Sequence, residues 1–174
     1  MEELKYPLGK ADLKEKYSAE DINYYIETLE ALPYELEKLI EGITEDQLNT
    51  PYRDGGWTAR QVIHHMSDSH LNMLIRLKWT LTEDTPTIKA YDENLWAQLP
   101  DYQLPIEVSV NLLKSIHTKI VALAKSFSEK DLKKSYYHPE SKSEVNLGSV
   151  LALYTWHSKH HLAHIKICKG EWSF

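Results

Sequence analysis

Seven of the nine histidines in this chain fall in two short blocks, His64-His65…His70 and His157…His160-His161…His164. A neutral imidazole binds Zn²⁺, Ni²⁺, Cu²⁺ or Fe²⁺ through a bare ring nitrogen. Side chains four apart on a helix project from the same face. One helix can therefore offer two ligands side by side, and a second histidine-bearing helix can supply a third. The chemistry that these residue types and spacings suggest is a divalent metal site.

Four long segments carry helical periodicity and must position these side chains. The first runs from Ser18 to Ile43, with Ser18 and Asp21 as cap and acidic first turn, and with Pro33 bending its middle. The second starts at Thr58 as N-cap and reaches Leu81. The third runs from Pro105 to Phe127 on a stripe of Leu112, Leu113, Ile116, Ile120 and Leu123. The fourth runs from Asn146 to Lys169, where Gly170 is a stop signal. A short hairpin is expected between Tyr136 and Val145. The fold class is all-α, a four-helix bundle in one domain spanning 1–174, with a long crossover from Thr82 to Leu104 between helices two and three. Residues 43–52 (ITEDQLNTPY) also echo 127–136 (FSEKDLKKSY). Each reads as a capped helical turn between a long helix and a histidine helix, which suggests a duplicated helix pair.

On the fourth segment, Leu147, Val150, Leu151, Tyr154, Ile165 and Cys168 form an apolar stripe at i, i+3, i+4 spacing. His161 falls near its centre and His157 beside it, while His164 lies further round and His160 points away. Two unpartnered imidazoles would be costly to bury, and a metal would satisfy them. On the second segment the stripe of Ala59, Val62, Ile63, Met66, Met73, Leu74 and Leu77 places His70 near the centre. Spacing alone therefore favours His70 as third ligand and leaves His65, on a flank, open. Asp68 neighbours His64 and His65 on the helix and is positioned to accept a second ring N–H from either, as carboxylates often do at metal-bound histidines.

Composition narrows the function classes. The chain is 42% hydrophobic and 26% charged with a net charge of −6, as expected of an ordinary globular protein without a basic stripe for nucleic acid. No signal-peptide core and no apolar run of about 18 residues is visible, so the expectation is a cytoplasmic protein without a membrane span. A single cysteine, Cys168, excludes an internal disulfide. There is no Ser-His-Asp signature, phosphate loop or CxxC motif.

The runs PYRDGGWTARQVIHHMSDSH, LTEDTPTIKAYDENLWAQL and LYTWHSKHHLAHI resemble the YfiT branch of the DinB superfamily, and the likeness extends from Tyr6-Pro7-Leu8-Gly9 almost to the C-terminus. The resemblance implies a pseudo-duplicated four-helix bundle, often a homodimer, that holds one divalent metal through three histidines. In the family the first ligand stands eight residues after the tryptophan that opens helix two, which here is His65 rather than His70. The other two, four apart on the last helix, map onto His157 and His161.

A three-histidine ion, Zn²⁺ first and Ni²⁺ second, leaves a coordination position open, and open sites are more often catalytic than structural. Such an ion acidifies water for hydrolysis or activates a substrate thiol. The resemblance implies both a metal-dependent hydrolase and, as runner-up, a bacillithiol-type S-transferase acting on a low-molecular-weight thiol. A non-catalytic, metal-stabilised bundle is the third reading. Arg53 is a candidate for holding a carboxylate of a small substrate, and Asp68, His70 and His164 are candidate proton relays or orienters of the ligands.

Overall fold

A computed structural model of the chain describes residues 2–173. Its four long helices are α1 (Ala19–Ile40), α2 (Ala59–Thr82), α3 (Ile106–Ala124) and α4 (Leu147–Lys169). Local chemistry sets most of their ends. Ser18 and Asp21 form a reciprocal capping box at α1, and Thr58 and Gln61 form another at α2. The Asn146 side chain accepts the Ser149 N–H at the start of α4, and Gly170, at φ 73°, closes that helix in the left-handed conformation. Two expected ends fall short. Helix α1 stops at Ile40 because the chain turns at Gly42 (φ 69°), and α3 stops at Ala124, where i→i+3 bonds from Ser126 and Phe127 tighten the exit. Pro33 lies inside α1 and is buried.

The two echoed segments both form short capped helices, Glu45–Leu48 and Glu129–Leu132, each with a capping box on Thr44 or Ser128. The expected hairpin is also present. Strand β1 (Ser135–His138) pairs antiparallel with β2 (Ser143–Asn146), Tyr136 facing Val145. The crossover between α2 and α3 is not a free loop. It holds a short helix (Glu93–Trp96) and a 3₁₀ turn (Pro100–Gln103), and it is tied to α2 by Gln61 Nε2 donating to the Ala97 carbonyl and Tyr102 Oη donating to Asp68.

Helix α2 packs extensively on α3 and α4, and α1 packs on the same two helices. Going round the bundle the order is therefore α1–α3–α2–α4, and the consecutive pairs α1/α2 and α3/α4 face each other diagonally. In an up-and-down bundle, consecutive helices are neighbours instead. Here α2 is flanked by both α3 and α4, which puts two different helices within reach of its histidines.

The apolar core comes in two groups. One gathers Leu29, Met73, Leu77, Ile120 and Leu151; the other gathers Leu32, Leu36, Val62, Met66, Leu113 and Ile165. On α2, His70 stands between Met66 of one group and Met73 of the other. On α4, His157 and His161 stand between Tyr154 and Leu162. A layer of imidazoles divides the hydrophobic interior. None of the described helices is long and apolar enough to cross a membrane.

Candidate metal centre

His65 from α2 and His157 and His161 from α4 each bring a ring nitrogen into a group whose atoms lie within 4.8 Å of one another. The Nε2 atoms of His65 and His157 are 3.1 Å apart. The i, i+4 spacing stacks His157 and His161 on one face, with ring centroids 4.3 Å apart. Trp57, just before the α2 cap, tilts against His65 at 4.7 Å. His65 is 1% exposed and His161 7%, while His157 is half-buried in the wall of a cleft of about 580 Å³. Burial pushes the His65 pKa down to about 4. It drives His157 and His161 well below the ordinary range too, with the charge of His65 as a further cause for His157 and those of His157 and His65 for His161. At neutral pH all three are neutral, the form that binds metal.

The state of His157 follows from a chain of hydrogen bonds that runs through all four helices. His117 Nδ1, on α3, lies 2.5 Å from the Leu29 carbonyl of α1. A carbonyl only accepts, so Nδ1 carries the proton and, in a neutral ring, Nε2 is bare. That Nε2 lies 2.8 Å from His70 Nδ1 on α2, which must donate to it. His70 Nε2 is then bare and faces His157 Nδ1 at 3.3 Å, so His157 donates from Nδ1. The last step leaves His157 Nε2 as an unprotonated lone pair aimed at His65. One backbone carbonyl thus fixes the tautomer of a ring three residues along the chain of bonds.

These residues fit a divalent ion. Metal–nitrogen bonds of about 2.1 Å at tetrahedral angles separate ligand nitrogens by about 3.4 Å, close to the 3.1 Å between His65 and His157. His157 Nε2 is bare by the argument above and faces His65 Nε2 directly. Among the described residues, no other set of three His, Cys, Asp or Glu side chains is gathered as a possible metal-holding group.

The remaining sequence candidates take other places. His70 is not in the group of three; it stands one bond behind His157. Asp68 is bonded to neither His64 nor His65 among the described residues. Its Oδ2 accepts from Tyr102 Oη at 2.9 Å, and burial raises its pKa. His164 Nδ1 faces His161 Nδ1 at 3.3 Å while its ring stacks on Tyr52 at 3.9 Å, and burial lowers its pKa to about 3. Arg53 lines the cleft with its guanidinium over the Tyr52 ring, Nη1 donating to the Asp54 carbonyl and Nε unpartnered. His160 is stacked on Trp156 and Tyr6. Sequence reading missed His117 altogether. The available signal was its place between Leu113 and Ile120 on the apolar stripe of the third helix, where an isolated histidine needs a partner. It also missed Arg76, Glu93 and His138, which line the same cleft.

Residues 28–165 match the DinB superfamily. The chain belongs to the DinB superfamily. A Bacillus cereus relative named "Putative metal-dependent hydrolase" is 48% identical over 165 residues, covering 95% of each chain. A Bacillus thuringiensis relative with a similar name has the same identity and coverage. The solved structure of YfiT from Bacillus subtilis, described as "a probable metal-dependent hydrolase with an unusual four-helix bundle topology", superposes with a TM-score of 0.94 at 42% identity, over 98% of this chain and 99% of that one. The diagonal pairing of consecutive helices seen here departs from the up-and-down arrangement.

Proposed function

We propose that this DinB-superfamily protein is a metal-dependent hydrolase of a small substrate, with one divalent ion, Zn²⁺ in the first place and Ni²⁺ as the other candidate, on His65, His157 and His161. The observation that carries the reading is three neutral imidazoles converging beside an open cleft, with His157 held in the one tautomer that leaves its inner nitrogen bare. The names of the Bacillus relatives agree with it. Three protein ligands leave a position free, as catalytic rather than structural zinc sites do. When bound, such an ion supplies Lewis acidity, polarising the substrate and bringing the pKa of water toward about 7. The chain's own residues hold and orient. His70 and His117 fix the His157 ring, His164 buttresses His161 through its Nδ1, and Tyr52 and Trp57 wall off the site. His164 is a poor general base near neutral pH, because burial lowers its pKa so far.

The test is metal content by elemental analysis, paired with turnover of a panel of small esters and amides. One ion per chain, with metal and turnover lost together in His65→Ala, His157→Ala and His161→Ala, is the expected result. Turnover retained by metal-free protein overturns the reading. Thioether formation from a low-molecular-weight thiol and an electrophile, with no hydrolysis, reassigns the site to group transfer.

A further inference from the structure

Arg76 is 9% exposed and lines the same cleft as the three histidines. It stands eleven residues after His65 on α2 (76 − 65). At about 100° per residue, eleven residues return to within about 20° of the starting direction, so both side chains leave the same side of the helix, about 16 Å apart along its axis.

The guanidinium there is poorly matched by the protein. Its Nε has no hydrogen-bond partner, and Nη2 makes only a long 3.5 Å bond to the Lys89 carbonyl. The hydroxyls of Tyr136 and Tyr154 lie within its hydrogen-bonding reach, but both are neutral and bring no counter-charge. Among the described residues Arg76 makes no ion pair. A guanidinium stays charged throughout the stable pH range, and a buried charge without a counter-charge is costly. A second buried polar atom at the same end is also unpartnered. It is Nδ1 of His138, on β1, whose pKa is lowered by burial and by the Arg76 charge. Glu93, from the crossover, is a carboxyl on which the Arg76 charge acts. Burial raises its pKa more than the attraction of Arg76 lowers it, which is not how an ion-paired carboxylate behaves.

We propose that Arg76, with His138 and Asn94, forms a carboxylate subsite at the far end of the cleft, so that the substrate is an elongated small molecule whose carboxylate lies remote from the bond that reacts at the histidines. The planar guanidinium fork matches a carboxylate bidentately. One cation facing Glu93 suits a single negative charge better than the two of a phosphate. The substrate class rests on the hydrolase reading; the subsite itself does not.

The experiment separates the two. Metal-free protein, labelled with ¹⁵N at arginine and histidine, is titrated with sodium propionate, propionamide and inorganic phosphate while the Arg76 Nε–Hε and His138 ring signals are followed. Propionate is expected to shift both saturably, and propionamide to shift neither. Arg76→Gln should weaken propionate binding by roughly tenfold or more. Glu93→Gln leaves the arginine intact and should tighten binding several-fold by removing the opposing carboxyl. Equal shifts with acid and amide, binding of phosphate but not propionate, or no response of Glu93→Gln would each overturn the subsite. A subsite that behaves as expected in a protein shown by elemental analysis and turnover not to be a metal hydrolase would leave the carboxylate site standing and sink only the activity.

Discussion

His64 and His65 are adjacent on α2 and almost equally buried, at 3% and 1% exposure, yet the two faces of the helix treat them oppositely. On the His64 face every polar atom is answered. Nε2 donates to the Leu104 carbonyl at 3.1 Å, Nδ1 accepts from Ser109 Oγ at 2.7 Å, and Asp68 one turn on accepts from Tyr102. On the His65 face the Nδ1 atom is unpartnered, Nε2 looks at another imidazole nitrogen, and the Arg76 Nε three turns on has no hydrogen-bond partner. Buried polar groups in folded proteins are nearly always satisfied. The first face is built to hold the crossover and α3 in place. The second leaves buried nitrogens that the protein itself does not answer.

The sharpest way to break this contrast is to truncate each histidine in turn. His65→Ala should lower metal affinity by more than the 10- to 100-fold that loss of an outer partner typically costs, read by competition with a chromogenic chelator. In metal-free protein its stability should fall less than that of His64→Ala, because both changes leave a cavity but only His64 takes satisfied hydrogen bonds to a backbone and a hydroxyl group with it. His64→Ala should do the reverse. It leaves metal affinity within a few-fold while removing about 1–3 kcal/mol of stability in a urea melt, because Ser109 and the Leu104 carbonyl lose a buried partner. Equal metal loss in both variants would show that the two faces are not functionally distinct.

Acid should expose the cost of the unanswered face next. His117 is 2% exposed and its pKa falls from about 6.5 unfolded to about 4 folded, chiefly through desolvation. Between those values the unfolded chain binds more protons, so its contribution is complete above about pH 6.5 and is lost as pH falls through the window. About 3 kcal/mol rides on this one ring, and His65, also at about 4, adds to it. Urea midpoints of metal-free protein at pH 7.5, 6, 5 and 4 should drop steeply below 6.5. A flat profile would mean that these rings are not buried neutral.

Much of this was readable in the sequence, and the failures share a cause. Thr58, Asn146 and Gly170 act on their own neighbours, so the helix ends they set were visible locally. The α4 stripe put His157 and His161 inward, but its reading of His160 as pointing away fails, because α4 is buried on nearly all sides and Tyr6 stacks on His160, which is 6% exposed. On α2 the centre of the stripe pointed to His70, and this was the wrong residue for the group of three. A helix wedged between α3 and α4 buries a wide arc, its centre faces the bundle axis, and the flank carrying His65 faces α4. The ring order α1–α3–α2–α4 is a property of the connections rather than of any one stripe. His117 left no pattern because its anchor is the carbonyl of Leu29, which any residue at that position would supply.

Breaking the four-helix chain of bonds should cost less than losing a ligand. His117→Phe fills the same space but leaves His70 Nδ1 without its acceptor and frees His70 to flip its tautomer. His157 is then no longer obliged to protonate at Nδ1. Metal affinity should fall about 10- to 100-fold while the three ligands remain. In metal-free protein the ¹⁵N spectrum of His157 should change from an Nδ1–H ring to a mixture of tautomers. A wild-type His157 already protonated at Nε2 would refute the chain directly.

The smallest effect is expected at Asp68, and it returns to the contrast between the two faces. Its carboxylate sits on the satisfied side, bonded to Tyr102 and half-buried. Asp68→Asn keeps an acceptor oxygen for the tyrosine proton and weakens a charge-assisted bond to a neutral one, but it also removes the cost of burying the charge, so stability near neutral pH should change by no more than about 1 kcal/mol. Metal affinity should be unchanged, since the carboxylate does not touch a histidine of the group. Because burial raises the Asp68 pKa, the folded protein takes up this proton more readily than the unfolded chain, so wild type should gain stability relative to Asp68→Asn as pH falls through the carboxylate range. A drop in metal affinity or turnover in this variant would move Asp68 to the other face in function, making the hydrogen bond to Tyr102 one side of a coupling into the metal site.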